Sequence, residues 1–128
     1  MGLIAHPVNA ISQATIGAAI EVHRYLGPGL LESSYHACLC LELQLRGIAY
    51  QSEVVLPLEY KGLGIAKVYV LDLLIEDALI VEIKSVAQLL PVHSAQLMTY
   101  MRLQHIAAGL LINFNVENLA QGVRRRLL

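Results

Sequence analysis

Two opposite charges interrupt an otherwise apolar stretch in the middle of the chain, Leu79-Ile80-Val81-Glu82-Ile83-Lys84-Ser85. The run is expected to form a strand, and alternation along a strand points Glu82 and Lys84 to one face. Burying ionised groups there costs several kcal/mol unless they are paired or bind a metal. Any fold of this chain must therefore bring partners to that face. The preceding apolar run, Val68 to Ile75, offers Asp72. Whether Asp72 meets Glu82 depends on the connection, because a one-residue slip moves a side chain to the other face. A three-residue connection, Glu76-Asp77-Ala78, pairs Ile75 with Leu79 and sets Asp72 opposite Glu82, with Cβ atoms about 5 Å apart. A two-residue turn at Glu76-Asp77 separates them.

The rest of the chain reads as helices and strands around this pair. From Asn9, an expected N-cap, apolar positions at Ile11, Ile16, Ala19, Ile20 and Val22 suit a helix to about Tyr25. Gly27-Pro28-Gly29 breaks it. A second helix is expected from about Leu31 to Arg46, ended by Gly47. Strands follow at Tyr50 to Tyr60 and, after a turn at Lys61-Gly62-Leu63-Gly64, at Ile65 to Ile75; the third runs from Leu79 to Ser85. Pro91 opens a helix ending near His105. A buried strand at Ala107 to Asn113, a helical turn from Asn118 and a closing strand at Val123 to Leu127 complete the order ααβββαββ. That order is an α/β fold with a central mixed sheet flanked by helices.

A chain of 128 residues has room for one domain, expected to span residues 1–128. With 56% hydrophobic and 15% charged residues, it is more apolar than a soluble monomer needs, which suggests a rich core or a surface covered by a second copy or a protein partner. No apolar run reaches the ~20 residues of a membrane span, so no membrane contact is expected. Met1 to Pro7 lacks the basic start and apolar stretch of a secretory signal, and a cytoplasmic location is the default. Cys38 and Cys40, two apart on a helix, diverge and are expected as free thiols. A net charge of −1 gives no support to strong nonspecific DNA binding. Arg124, Arg125 and Arg126 read by default as a solvated chain end, with contact to a phosphate backbone as the alternative. With no Trp and one Phe, no aromatic run suggests base stacking.

Carboxylate oxygens select hard ions such as magnesium or manganese. Such an ion polarises a phosphoryl oxygen and acidifies a bound water, and Lys84 on the same face can orient that water or offset charge growing on a phosphate. Asp72 followed by Glu82-Ile83-Lys84 resembles the PD-(D/E)XK nuclease signature. Gly29-Leu30-Leu31-Glu32-Ser33-Ser34-Tyr35 matches the motif that names the GxxExxY proteins, a family of that superfamily. Ile20-Glu21-Val22-His23-Arg24 and Leu111-Ile112-Asn113-Phe114-Asn115 extend the resemblance over nearly the whole chain.

The resemblance implies a restriction-endonuclease-like core and a nuclease acting on nucleic acid, DNA or else RNA, with Mg2+ or Mn2+ as cofactor. It implies that Asp72, Glu82 and the Ile83 carbonyl hold the metal, that Glu32 adds a further carboxylate, and that Lys84 serves the attacking water. Gln96-Leu97-Met98-Thr99-Tyr100 resembles the Gln-x-x-x-Tyr motif of RecB-like nucleases, and the i, i+4 spacing independently puts Gln96 and Tyr100 on one helical face. One departure is Val70, where relatives often carry an arginine that would bear on substrate binding. Two rivals stand beside this reading. One is a catalytically silent or partner-activated module that binds nucleic acid or protein. The other is a self-associating structural protein whose charged cluster is a buried ion-pair network. Tyr35 reads as a core aromatic and His23 as a partly buried histidine near a helix end, with a metal or phosphate ligand as its alternative; His36, His93 and His105 carry no assigned role.

Overall fold

A computed structural model describes residues 7–128. The first six residues, including most of the stretch searched for a secretory signal, lie outside the described residues. Helix α1 spans Pro7–Leu26. It starts two residues ahead of the expected cap, because proline tolerates the first helical turn, where its missing N–H loses nothing. Asn9 is therefore inside the helix, and its Oδ1 accepts from Arg125 on the last strand.

Helix α2 spans Glu32–Leu45. Gly47, at φ 69°, closes it as its N–H donates to the Gln44 carbonyl and the Ile48 N–H to the Leu43 carbonyl. This double bond set satisfies the orphan carbonyls of the last turn, and glycine takes the left-handed conformation without a Cβ penalty. Strand β1, Tyr50–Tyr60, turns at Lys61-Gly62 into β2, Leu63–Ile75. Both turn residues have positive φ, the geometry of a two-residue hairpin, so β2 begins two residues before the expected Ile65.

Strand β3, Leu79–Lys84, is followed by α3, Pro91–Gln104, and β4, Ala108–Asn113. A 3-10 turn, Leu119–Gly122, leads into β5, Val123–Leu127. The five strands lie in sequence order in one mixed sheet, with only the β3–β4 pair parallel. Helices α1 and α2 cover one face over a core that includes Tyr35, Leu39, Leu43, Leu73, Val81, Leu110 and Phe114. Helix α3 covers the other with Leu97, Tyr100 and Met101 against Leu71, Leu74, Ile80 and Leu111. Both layers are apolar because a sheet covered on two faces has no solvated side to alternate with. Among the described residues no helix is long and apolar enough to cross a membrane. Cys38 and Cys40 are free thiols, as their spacing implies.

The height of α3 above the sheet is set at Gly109. A Cβ there would lie 2.7 Å from Met101 Sδ and 2.8 Å from Leu97 Cδ1. Both side chains are fully buried, so any shift that clears the methyl group has to be taken up by the packed core around them. Gly109→Ala is expected to cost about 1–3 kcal/mol of stability through overpacking. It would be read as a lower urea midpoint at unchanged slope. An unchanged midpoint would show that α3 rides over the methyl group freely.

Candidate active site at the ends of β2 and β3

The connection between β2 and β3 combines the two alternatives open in the sequence. Glu76 and Asp77 both take positive φ, and the Ala78 N–H donates to the Ile75 carbonyl at 2.9 Å, as in a two-residue turn. Yet the ladder pairs Ile75 with Leu79, Leu74 with Ile80 and Leu73 with Val81, so Ala78 is an inserted residue and the three-residue register holds. Glu76 steadies this turn by accepting the Ala49 N–H on its Oε1 at 3.0 Å and donating its own N–H to the Ala49 carbonyl.

One step beyond Leu73 and Val81 the backbone ladder stops, and two carboxylates take its place. The Asp72 N–H donates to Glu82 Oε2 at 2.8 Å, and the Ile83 N–H donates to Asp72 Oδ2 at 2.7 Å. Strand alternation also breaks here. Leu73 joins the core under α1 and α2 while Leu71 joins the core under α3, although strict alternation would place both on one face. Across β1 the same position is Glu53, at φ 56°. The local twist brings the Asp72 carboxylate across to the backbone of β3.

Each carboxylate thus spends one oxygen on a backbone amide. Among the described residues, Asp72 Oδ1 and Glu82 Oε1 have no hydrogen-bond donor. Burial is the main force raising both acids above their ordinary range. Glu82 is pushed up to about 8, by burial first and the Asp72 charge second, against the Asp72 amide and Lys84, which lower it. Asp72 is also raised by burial, partly offset by the Ile83 amide, His36 and Lys84. Two buried carboxylates that oppose each other's ionisation are a setting that a hard divalent cation relieves, and their oxygen donors suit magnesium or manganese.

The surrounding elements bring in the other expected residues. Lys84 is half-buried and its Nζ donates to Gln96 Oε1 at 3.4 Å, which ties β3 to α3. Tyr100, one turn on from Gln96, is buried; desolvation foremost, then the charges of Glu82 and Asp72, raise its pKa. Glu32 is exposed in the first turn of α2, within electrostatic reach of both acids but without a hydrogen bond to either. Among the described residues no three side chains of ligand type converge as a ready metal cage.

The Gly-Pro-Gly loop explains how Glu32 is placed. Tyr35 is fully buried and stacked on Phe114 at 4.5 Å. Its hydroxyl donates to the Gly27 carbonyl at 2.5 Å and accepts from the Leu30 N–H at 3.2 Å. The Leu30 carbonyl in turn accepts from Ser85 Oγ at 2.5 Å. The loop before Glu32 is therefore pinned both to its own helix and to the residue after Lys84. Asn113 holds the far side, with its side chain accepting from the Val86 N–H and donating to the Val86 carbonyl, both at 3.0 Å.

His36 joins the site without having been singled out in the sequence. It lies one turn after Glu32, its Nε2 is 2.9 Å from Ser52 Oγ, and its charge favours ionised Asp72. The i, i+4 spacing from Glu32 was the available signal. His23, by contrast, is a buried structural histidine bonded to the Val116 carbonyl at 2.7 Å. Arg125 and Arg126 bond to Asn9 and Ser94, away from the carboxylates.

A five-stranded mixed sheet with helices on both faces, and two acids facing each other where an antiparallel strand pair parts, is an α/β arrangement consistent with the PD-(D/E)XK fold. The sequence profile of the PD-(D/E)XK nuclease superfamily matches residues 9–126, and the chain belongs to that superfamily. No curated protein and no solved structure matches it.

Proposed function

We propose that the chain is a nuclease domain spanning residues 1–128, of the GxxExxY branch, that hydrolyses phosphodiester bonds in DNA, or else RNA, with Mg2+ or Mn2+. The observation that carries this reading is the pair of free oxygens, Asp72 Oδ1 and Glu82 Oε1, left over after each carboxylate has bonded a backbone amide. These two would hold the metal, with the Ile83 carbonyl and Glu32 completing the protein's share. When bound, the ion supplies a Lewis acid for the phosphoryl oxygen and an acidified water. Lys84, whose charge acts on both acids, orients that water or offsets charge developing on the phosphate, and Gln96 holds its ammonium group in place. Tyr100 closes the α3 side against solvent and offers its hydroxyl to the phosphate.

The test is incubation of purified protein with single- and double-stranded DNA and RNA, with and without magnesium or manganese. Metal-dependent cleavage leaving 5′-phosphate ends is expected, lowered about 100–1,000-fold in Lys84→Ala. Intact substrates alongside measurable metal binding would leave a module that waits for a protein partner or only binds. Absence of any metal binding would favour a structural role for the cluster.

A further inference from the structure

Beside the carboxylates, between the β1–β2 hairpin and α3, lies a cavity of about 270 Å³ lined by Leu58, Tyr69, Gln96, Thr99, Tyr100 and Leu103. It is smaller than the ~300–1,000 Å³ of pockets that take drug-sized molecules. Its chemistry suits a small, flat, amphipathic ring. The Tyr69 and Tyr100 rings are 6.2 Å apart and tilted by 50°, giving an aromatic wall in which Tyr69 is half-buried and Tyr100 buried. Leu58 and Leu103 supply the aliphatic wall. Gln96 spends its Oε1 on Lys84, and among the described residues its amide nitrogen donates to nothing. Thr99 places a hydroxyl at the rim, bonded by Arg102 at 3.1 Å.

No residue of the lining is acidic, and two cations flank it: Arg102 on Thr99, and Lys67, whose Nζ lies 5.9 Å from the Tyr69 ring. Aromatic and aliphatic walls, a donor pair at the rim and cations for the flanking phosphates are the complement of one nucleotide. Gln96 and Tyr100 belong both to this cavity and to the surroundings of Lys84, Glu82 and Asp72, so a base seated here sits next to a phosphate at Lys84. A paired and stacked base cannot enter; an unpaired or extruded one can. We propose that this cavity holds an unpaired nucleobase beside the scissile phosphate and restricts the substrate to single-stranded nucleic acid or single-stranded ends. The inference rests on the nuclease reading above for the position of that phosphate.

Binding is measured by anisotropy of a fluorescein-labelled mixed-sequence DNA oligonucleotide, against a hairpin duplex of equal length, using Glu82→Gln protein with magnesium so that cleavage does not intervene. The single strand is expected to bind at least about tenfold more tightly. On that background Tyr69→Leu raises its Kd about tenfold, Tyr69→Phe leaves it near the parent value, and duplex affinity does not change. Thr99→Phe, at an exposed position of α3, fills the cavity from the rim and gives the same loss if Tyr69→Leu fails to fold. Equal affinity for both substrates, or a single-strand Kd unmoved by Tyr69→Leu and Thr99→Phe in folded protein, overturns the proposal. Native protein that cuts duplex and single strand at equal rates overturns it too while leaving the nuclease reading intact. Tyr69-dependent single-strand binding by protein that cuts nothing keeps the base site and removes the nuclease.

Discussion

Asp72→Asn should abolish metal-dependent cleavage and divalent-ion binding while leaving the protein folded. The asparagine carbonyl can still accept the Ile83 N–H that Asp72 Oδ2 accepts at 2.7 Å, so the strand junction survives. What disappears is the charge that the ion needs. A cleavage loss of at least about 100-fold is expected, as for removal of a group that stabilises transition-state charge. Asp72→Ala should lose as much activity and also destabilise the fold by about 1–3 kcal/mol, because the Ile83 amide is left without its acceptor. Calorimetric titration with magnesium, run beside urea denaturation, separates the two effects. Full metal binding in folded Asp72→Asn would remove Asp72 from the site.

The metal-free protein should become less stable as pH rises from about 5 to about 8. Glu82 ordinarily ionises near 4.5 and in the fold is held up to about 8. Between these values the unfolded chain has released a proton that the native chain still holds, so each step up in pH favours unfolding. The stabilisation is complete below the ordinary value and is lost through the raised one. At about 1.4 kcal/mol per unit, a shift of this size sets an upper bound of roughly 5 kcal/mol. Raised Asp72 adds to the same slope. Glu82→Gln should flatten the profile and be more stable than the native protein near pH 8, because its amide can still accept the Asp72 N–H. Magnesium should bind more tightly at higher pH and release protons on binding at neutral pH. A native urea midpoint that does not fall between about pH 5 and about pH 8 would show that Glu82 ionises without penalty.

The elements were legible because their periodicities are clean: every helix and strand of the α/β order read from the sequence is present, with edges moved by one or two residues. Asn9 misled because a good cap residue was available two positions inside a helix that proline had already started. The register at Asp72 was legible only as a fork. Glu76-Asp77 has no glycine to signal its positive φ values, and the structure satisfies the turn bond and the longer register together by inserting Ala78.

The acids and lysine stand out in sequence because charge inside an apolar strand is costly. Glu32 did not stand out on that basis, since it is exposed, and was reached through the resemblance of its motif. The bonds from Tyr35 to Gly27 and from Ser85 to Leu30 supply the physical sense of that motif, and both depend on the tertiary fold. The aromatic wall of the cavity was hidden because Tyr69 and Tyr100 come from a hairpin and a distant helix, and no local run announces them.

The last rung between β2 and β3 is built from side chains that titrate. Ordinary sheet rungs join amides to carbonyls and are indifferent to pH and to cations. Here the Asp72 and Ile83 amides end on carboxylates. How strongly the two backbones are laced together at this end therefore depends on the charge of the two acids, because an ionised carboxylate is the stronger acceptor. In this sheet the main chain itself meets the titrating groups, and the amides of Asp72 and Ile83 are where it does so.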